Sequence, residues 1–151
     1  MKIKIISGGQ TGVDQAALDF ALDHGFKCGG YCPRGRKNEQ GSIANRYPLS
    51  EIDSEDYLER TRRNIVESDG TLIFKDFVEV KGGTIDTINL CEQFLKPYLI
   101  VNLEQNIQRN VIFNWLQEFK IVILNIAGNR ESASPGICEK SYLYLIKLFN
   151  L

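Results

Sequence analysis

The chain is short of the residues that most enzymes and metalloproteins rely on. It has one histidine, His24, one tryptophan and one methionine in 151 residues. Its four cysteines, Cys28, Cys32, Cys91 and Cys138, form no C-x-x-C pair. Cys28 and Cys32 are spaced closely enough to raise a metal site, but His24 alone stands ready to complete one, so free thiols in a reducing compartment are expected. No stretch approaches the ~18 apolar residues that cross a bilayer. The opening Met1-Lys2-Ile3-Lys4-Ile5-Ile6 is too short for a signal peptide and runs into glycines. A cytoplasmic protein without a membrane partner is expected. Charge of one sign is also missing: 18 basic against 19 acidic residues leave a net charge of -1. That balance gives no sign of a nucleic-acid partner, which usually demands a basic excess. There is no G-x-S-x-G elbow, no H-E-x-x-H helix and no histidine near a nucleophile. Repeats and low-complexity tracts are absent, and the length suits one domain over residues 1–151.

What is present is an alternation of short apolar runs with amphipathic stretches. Ile3–Ile6, Phe26–Gly30, Gly70–Phe74, Tyr98–Val101 and Ile121–Leu124 read as strands. Helices are expected over Val13–His24, Glu55–Glu67, Thr84–Leu95, Ile107–Phe119 and from about Pro135 to Phe149. Ser54 is the expected N-cap of the second helix, whose buried stripe would be Tyr57, Leu58, Thr61 and Ile65. Strands alternating with helices imply parallel pairing through right-handed crossovers. The predicted class is α/β: a Rossmann-like, doubly wound parallel sheet of about five strands with helices on both faces. Tyr31–Asp53 breaks the rhythm, being rich in Gly, Pro, Arg and Asn. A loop this long is usually functional or disordered.

Ligands of such sheets sit beyond the carboxyl ends of the strands. Four segments fall there. Ser7-Gly8-Gly9-Gln10-Thr11-Gly12 joins a strand to a helix, and glycines before a helix N-terminus suit an anion. With no lysine after Gly12 it is no ATP-hydrolysing P-loop, and a tight turn is the plain alternative. Cys32-Pro33-Arg34-Gly35-Arg36-Lys37 places three cations in the long loop, suited to phosphate or simply solvated. Lys81-Gly82-Gly83-Thr84 repeats the first pattern, glycines then a hydroxyl at a helix start. Asn125–Gly136 follows the last strand and offers Asn129, Arg130 and Ser132, or merely a polar connection and a cap. Arg60, Arg62 and Arg63 lie on the second helix, where ion pairs with Glu59 or Glu67 account for them. Acid–base work would fall to Asp14, Asp69, Asp86 or Glu131, none of them singled out by its setting.

The segments SGGQTGVDQAALDFAL, GGYCPRGRKNEQGSIANRYPL, YLERTRRNI, SDGTLIF, GGT and LNIAGNRESASPGI together resemble the putative molybdenum carrier family, over nearly the whole chain. The resemblance implies a Rossmann-like fold related to the lysine-decarboxylase-like phosphoribohydrolases. It also implies a homo-oligomer, dimer or tetramer, and a phosphate-bearing anionic ligand: the molybdenum cofactor (molybdopterin) or a nucleotide. The expected contacts are Gly8, Gly9, Gln10, Thr11, Gly12, Arg34, Gly35, Arg36, Gly82, Gly83, Thr84, Asn129, Arg130 and Ser132. The phosphoribohydrolases carry P-G-G-x-G-T-x-x-E; alignment on the glycine pair puts Asn89 where their glutamate stands. The expectation is a non-catalytic carrier or storage protein. The alternatives are a phosphoribohydrolase-like, nucleotide-processing enzyme, with Asp14 or Glu131 replacing the glutamate, or a nucleotide-sensing domain.

Overall fold

A computed structural model describes residues 2–80 and 82–151. Five strands form one parallel sheet: β1 (Lys4–Ile6), β2 (Lys27–Gly29), β7 (Gly70–Lys75), β8 (Tyr98–Asn102) and β9 (Ile123–Gly128). Their spatial order is β2-β1-β9-β7-β8, so β9, the last strand in the chain, lies in the middle. The helices are α1 (Val13–Asp23), α2 (Tyr57–Glu67), α3 (Gly83–Gln93), α4 (Arg109–Glu118) and α5 (Ile137–Phe149).

Right-handed crossovers sort the helices between the faces. Steps toward the β2 edge place α1 and α4 on one face, where α5 joins them. Phe20, Trp115, Leu116, Tyr144 and Leu145 pack there against Leu72, Phe74, Leu124 and Ile126 of the sheet. Steps toward the β8 edge place α2 and α3 on the other face, around Ile65, Leu90 and Cys91. The central β9 is flanked by β1 and β7. Buried on both faces, β7 and β9 read as apolar runs rather than alternating ones.

Three local readings change. The last sheet strand is Ile123–Gly128, not Ile121–Leu124. Asp69 Oδ2 accepts the Val122 and Ile123 N–H groups at 3.0 and 2.7 Å, holding the preceding residues in a turn. Asn125, Ala127 and Gly128 are therefore strand residues rather than loop. The N-cap of α2 is Asp56, whose carboxylate accepts Leu58 N–H at 2.9 Å, while Ser54 Oγ only accepts Asp56 N–H. Two turn-forming side chains follow one another, and the helix starts after the second.

The stretch from Tyr31 to Asp53 is built rather than irregular. It contains a parallel ladder of β3 (Tyr31–Cys32) with β6 (Ser50–Glu51) and a hairpin of β4 (Lys37–Asn38) with β5 (Gly41–Ser42). Cys32, Ile43 and Tyr47 cover Leu18 of α1 and form a small core of their own. All four cysteines are free thiols. Among the described residues no helix is long and apolar enough to cross a membrane, and no cluster of His, Cys, Asp or Glu could hold a metal ion.

Candidate ligand-binding cleft

A cleft of about 470 Å³ opens over the carboxyl ends of β1 and β9, between α2 and the start of α3. That is where an open α/β sheet exposes strand ends and helix N-termini together.

The loop from Ser7 to Gly12 is organised around a side chain of its own. Gln10 N–H donates to Asp14 Oδ2 at 3.2 Å, and Ser7 Oγ donates to the Asp14 carbonyl at 3.0 Å. Gln10 Oε1 accepts Thr11 N–H and Glu39 N–H at 3.0 and 2.9 Å. The donors of an anion loop thus already hold a carboxylate, that of Asp14. Burial pushes this carboxyl up to about 6 from its ordinary 3.8, against the pull of Arg60 and of the Gln10 and Gly8 N–H groups.

That shift makes a signed prediction. Ionising Asp14 is harder in the folded chain than in the unfolded one. Its stabilising contribution is whole below the unfolded value and is lost as pH rises through the folded one. Relative to Asp14→Asn, the wild type loses about 3 kcal/mol as pH climbs from about 4 to about 7. Urea denaturation of both proteins across that range reads the difference, and a flat difference refutes it.

Helix α2 turns a polar face inward. Arg60 is 8% exposed and Asn64 2%, whereas Leu58, expected in the buried stripe, is 43% exposed. The α2 surface meets loop backbone as well as apolar side chains, and backbone groups need hydrogen-bonding partners. Asn64 supplies them to the backbone N–H and carbonyl of Tyr31, at 2.9 Å each. Arg60 donates to the Gly8 carbonyl at 2.7 Å, lies 3.9 Å from Asp14 Oδ2, and stands over the Tyr57 ring. The sequence groups Arg60 with Arg62 and Arg63, for which ion pairs with Glu59 or Glu67 are the plain account. The spacing of Arg60, Asn64 and Ser68 at four residues was the available signal, a polar stripe where apolar ones are usually sought.

Helix α3 opens on the cleft with no side-chain cap. Gly82 has φ 48°, and a Cβ on Gly82 or Gly83 would meet nothing within 4 Å. The Gly83 and Thr84 N–H groups have no acceptor among the described residues, as expected at an uncapped helix start. Thr84 Oγ1 donates to Asn129 Oδ1 at 2.7 Å, and Asn129 Nδ2 donates to Ser134 Oγ at 3.0 Å. Lys81, which precedes this glycine pair, lies outside the described residues.

Of the expected contacts, Gly8, Gln10, Gly82, Gly83, Thr84, Asn129 and Arg130 line the cleft. The others are placed elsewhere. Gly9 backs onto Ile43 and Leu49, and Gly12 onto the Asn129–Glu131 backbone. Arg34 pairs with Asp53 at 3.2 Å on the surface, and Gly35 N–H donates to Glu51 at 2.6 Å. Arg36 donates to the carbonyls of Ala44, Tyr47 and Leu49, so its charge stitches the long loop together. Thr11 and Ser132 both donate their hydroxyls to Glu39, and Arg130 lies 3.5 Å from the same carboxylate.

Glu39, which sequence reasoning passed over, is the clasp between the long loop and the two glycine-bearing loops. Burial alone would raise its carboxyl, but the Ser132 and Thr11 hydrogen bonds and the Arg130 charge outweigh it and hold it below 4.5. Glu39→Gln should cost about 2 kcal/mol, the scale of hydrogen bonds to a charged group. Hydrogen exchange should quicken in residues 36–49 and 131–134 together; faster exchange in only one of them would contradict the clasp.

The acid–base candidates also sort. Glu131 accepts Gly136 N–H at 2.6 Å and Cys138 N–H at 3.0 Å, capping α5 with both oxygens. Asn89 is exposed and off the cleft; Thr84, Asp86 and Thr87 are the α3 side chains that line it. Asn89, which the glycine pair aligns with the phosphoribohydrolase glutamate, thus lies outside the cleft lining. No glutamate stands in this first turn of α3, and Thr87 Oγ1 donates to Gly83 O.

A parallel sheet with a central last strand and its cleft at the strand ends defines a Rossmann-like α/β protein. The chain belongs to the circularly permutated YpsA SLOG family, whose model matches residues 5–149. It is similar to the crystal structure of a putative molybdenum carrier protein from Syntrophus aciditrophicus SB. The two agree with a TM-score of 0.93 at 41% identity, over 99% of this chain and 96% of that one. No curated protein matches the chain.

Proposed function

We propose that the cleft binds a small phosphate-bearing ligand and carries it without turnover. The observation that carries this reading is the uncapped start of α3, where the Gly83 and Thr84 N–H groups face the cleft at the positive end of the helix dipole. Arg130 and the buried Arg60 add positive charge on the same cleft. A volume of about 470 Å³ suits a nucleotide or a pterin phosphate. The name of the neighbouring structure favours the molybdenum cofactor, whose organic part carries a phosphate. Glu131 is spent on a helix cap, which leaves that carboxylate no part in turnover.

A second reading has one observation in its favour. Asp14 sits in the cleft with its carboxyl near 6, within the range that suits a general acid or base. Thermal unfolding with a panel of nucleoside monophosphates and with molybdenum cofactor decides between them. A raised Tm without product is expected. Product formation that Asp14→Asn abolishes would transfer the assignment to a nucleotide-processing enzyme. No shift with any ligand would remove the binding reading.

A further inference from the structure

We infer that the cleft selects oxyanions that carry a proton, hydrogen phosphate and the phosphomonoester monoanion, over oxyanions that only accept hydrogen bonds, such as sulfate and molybdate. The inference rests on the reading of α3 as the phosphate-holding end of the cleft. It follows from where the protons of a buried hydrogen-bond chain must lie.

The chain begins at Asp76, which is fully buried. Its Oδ1 accepts Val78 N–H at 2.9 Å, so this oxygen is an acceptor, and Ser134 Oγ, 3.2 Å away, must donate to it. A serine hydroxyl has one proton. With that proton on Asp76, Ser134 Oγ can only accept from Asn129, which must therefore present its Nδ2, at 3.0 Å. The Asn129 Oδ1 is then turned to Thr84, whose hydroxyl must spend its own proton there, at 2.7 Å. Thr84 thus has only lone pairs left for a ligand. An oxyanion seated on the Gly83 and Thr84 N–H groups lies beside this oxygen.

The other two threonine hydroxyls of the cleft agree. Thr87 Oγ1 donates to the Gly83 carbonyl and Thr61 Oγ1 to the Tyr57 carbonyl, each at 2.9 Å. The three threonines on the cleft wall all face it as acceptors, and the Asp86 carboxylate on the first turn of α3 adds another. The donors are the α3 N–H groups, the two guanidiniums, the Tyr57 hydroxyl and the Gln10 amide. Arg60, nine-tenths buried, has one hydrogen bond, to Gly8 O, and its Nε and Nη2 have no acceptor among the described residues. A ligand that satisfies this wall accepts from the N–H groups and donates to Thr84. Hydrogen phosphate does both. Sulfate and molybdate would set lone pairs against lone pairs, an unpaired contact of the kind that a polar site rejects most strongly. Molybdenum would therefore enter in a phosphate-bearing organic molecule, not as the bare oxyanion.

Calorimetric titration of the full chain at neutral pH with inorganic phosphate, sulfate and molybdate tests this. Phosphate should bind at least about tenfold more tightly than either of the others. Ser134→Ala, which changes no residue lining the cleft, frees Asn129 to turn and should bring the phosphate-to-sulfate ratio toward one. Thr84→Val should weaken phosphate alone, and Thr84→Ser should restore the selectivity. Equal affinities in the wild type overturn the inference and leave the anion-binding reading standing. Failure of all three oxyanions to bind overturns both. Selectivity that survives both Ser134→Ala and Thr84→Val also overturns it, since its source would lie elsewhere.

Discussion

Gly12→Ala should lower the unfolding free energy by about 4 kcal/mol, at the severe end for a single substitution. Two independent costs meet at this residue. Its φ is +82°, a conformation that side-chain-bearing residues adopt with strain. A Cβ there would also overlap the Asn129 carbonyl oxygen and stand 2.8 Å from Glu131 N and 2.9 Å from Arg130 C. Those are backbone atoms of the segment that leaves β9, and they cannot swing aside as a flexible side chain would. Relief requires the β1–α1 loop to part from that segment, which breaks the Val13 N–H bond to Asn129 O. Gly25 supplies the control: its φ is +72°, but nothing lies within 4 Å of a Cβ there. Gly25→Ala should therefore cost only about 1 kcal/mol, from backbone strain alone. Denaturant titration of the two variants separates strain from contact, and equal losses would show that contact adds nothing at Gly12.

Arg60→Met should cost a similar amount, about 4 kcal/mol, and abolish the proposed ligand binding. The substitution keeps much of the apolar stem that covers Gly8 but removes the guanidinium. Gly8 O then loses its donor and Asp14 its only cation within 4 Å among the described residues. A buried carboxylate without its partner is costly, so Asp14 titrates higher still than about 6. The stability loss should therefore shrink as pH falls and Asp14 takes up its proton. Arg63→Met, on the same helix, is the comparison: its ion pair with Glu67 is half exposed and should contribute under about 1 kcal/mol. Similar losses in the two variants, or a loss in Arg60→Met that ignores pH, would refute the role given to Arg60.

The two positions differ in how far they could be read from the chain. Gly12 stands in a glycine-rich strand-to-helix turn, and local backbone need alone marks it. Arg60 stands in a charged helix among Arg62 and Arg63, and no local property separates it from them. Helical periodicity was sought through apolar residues, and it misassigned Leu58 because the partner of α2 includes the polar backbone of two loops. The cations of the long loop show the converse. Arg34 and Arg36 sit in a motif that suits phosphate, yet Asp53 and three backbone carbonyls take them. Those acceptors come from eight to nineteen residues away in the chain and become neighbours only when β3 pairs with β6.

By itself the sequence determined the α/β class, the five sheet strands to within a few residues, and the two glycine loops that begin α1 and α3. Each rests on short-range rules: hydrophobic period, glycine before a helix, strand length. Tertiary structure decided what those loops do. It seated the Asp14 carboxylate in the first, leaving its donors occupied, and left the second uncapped toward the cleft. It also fixed the proton order from Asp76 through Ser134 and Asn129 to Thr84. Hydrogen bonds are satisfied in space rather than along the chain, so residues 76, 84, 129 and 134 acquire a common property only once β7, α3 and β9 come together.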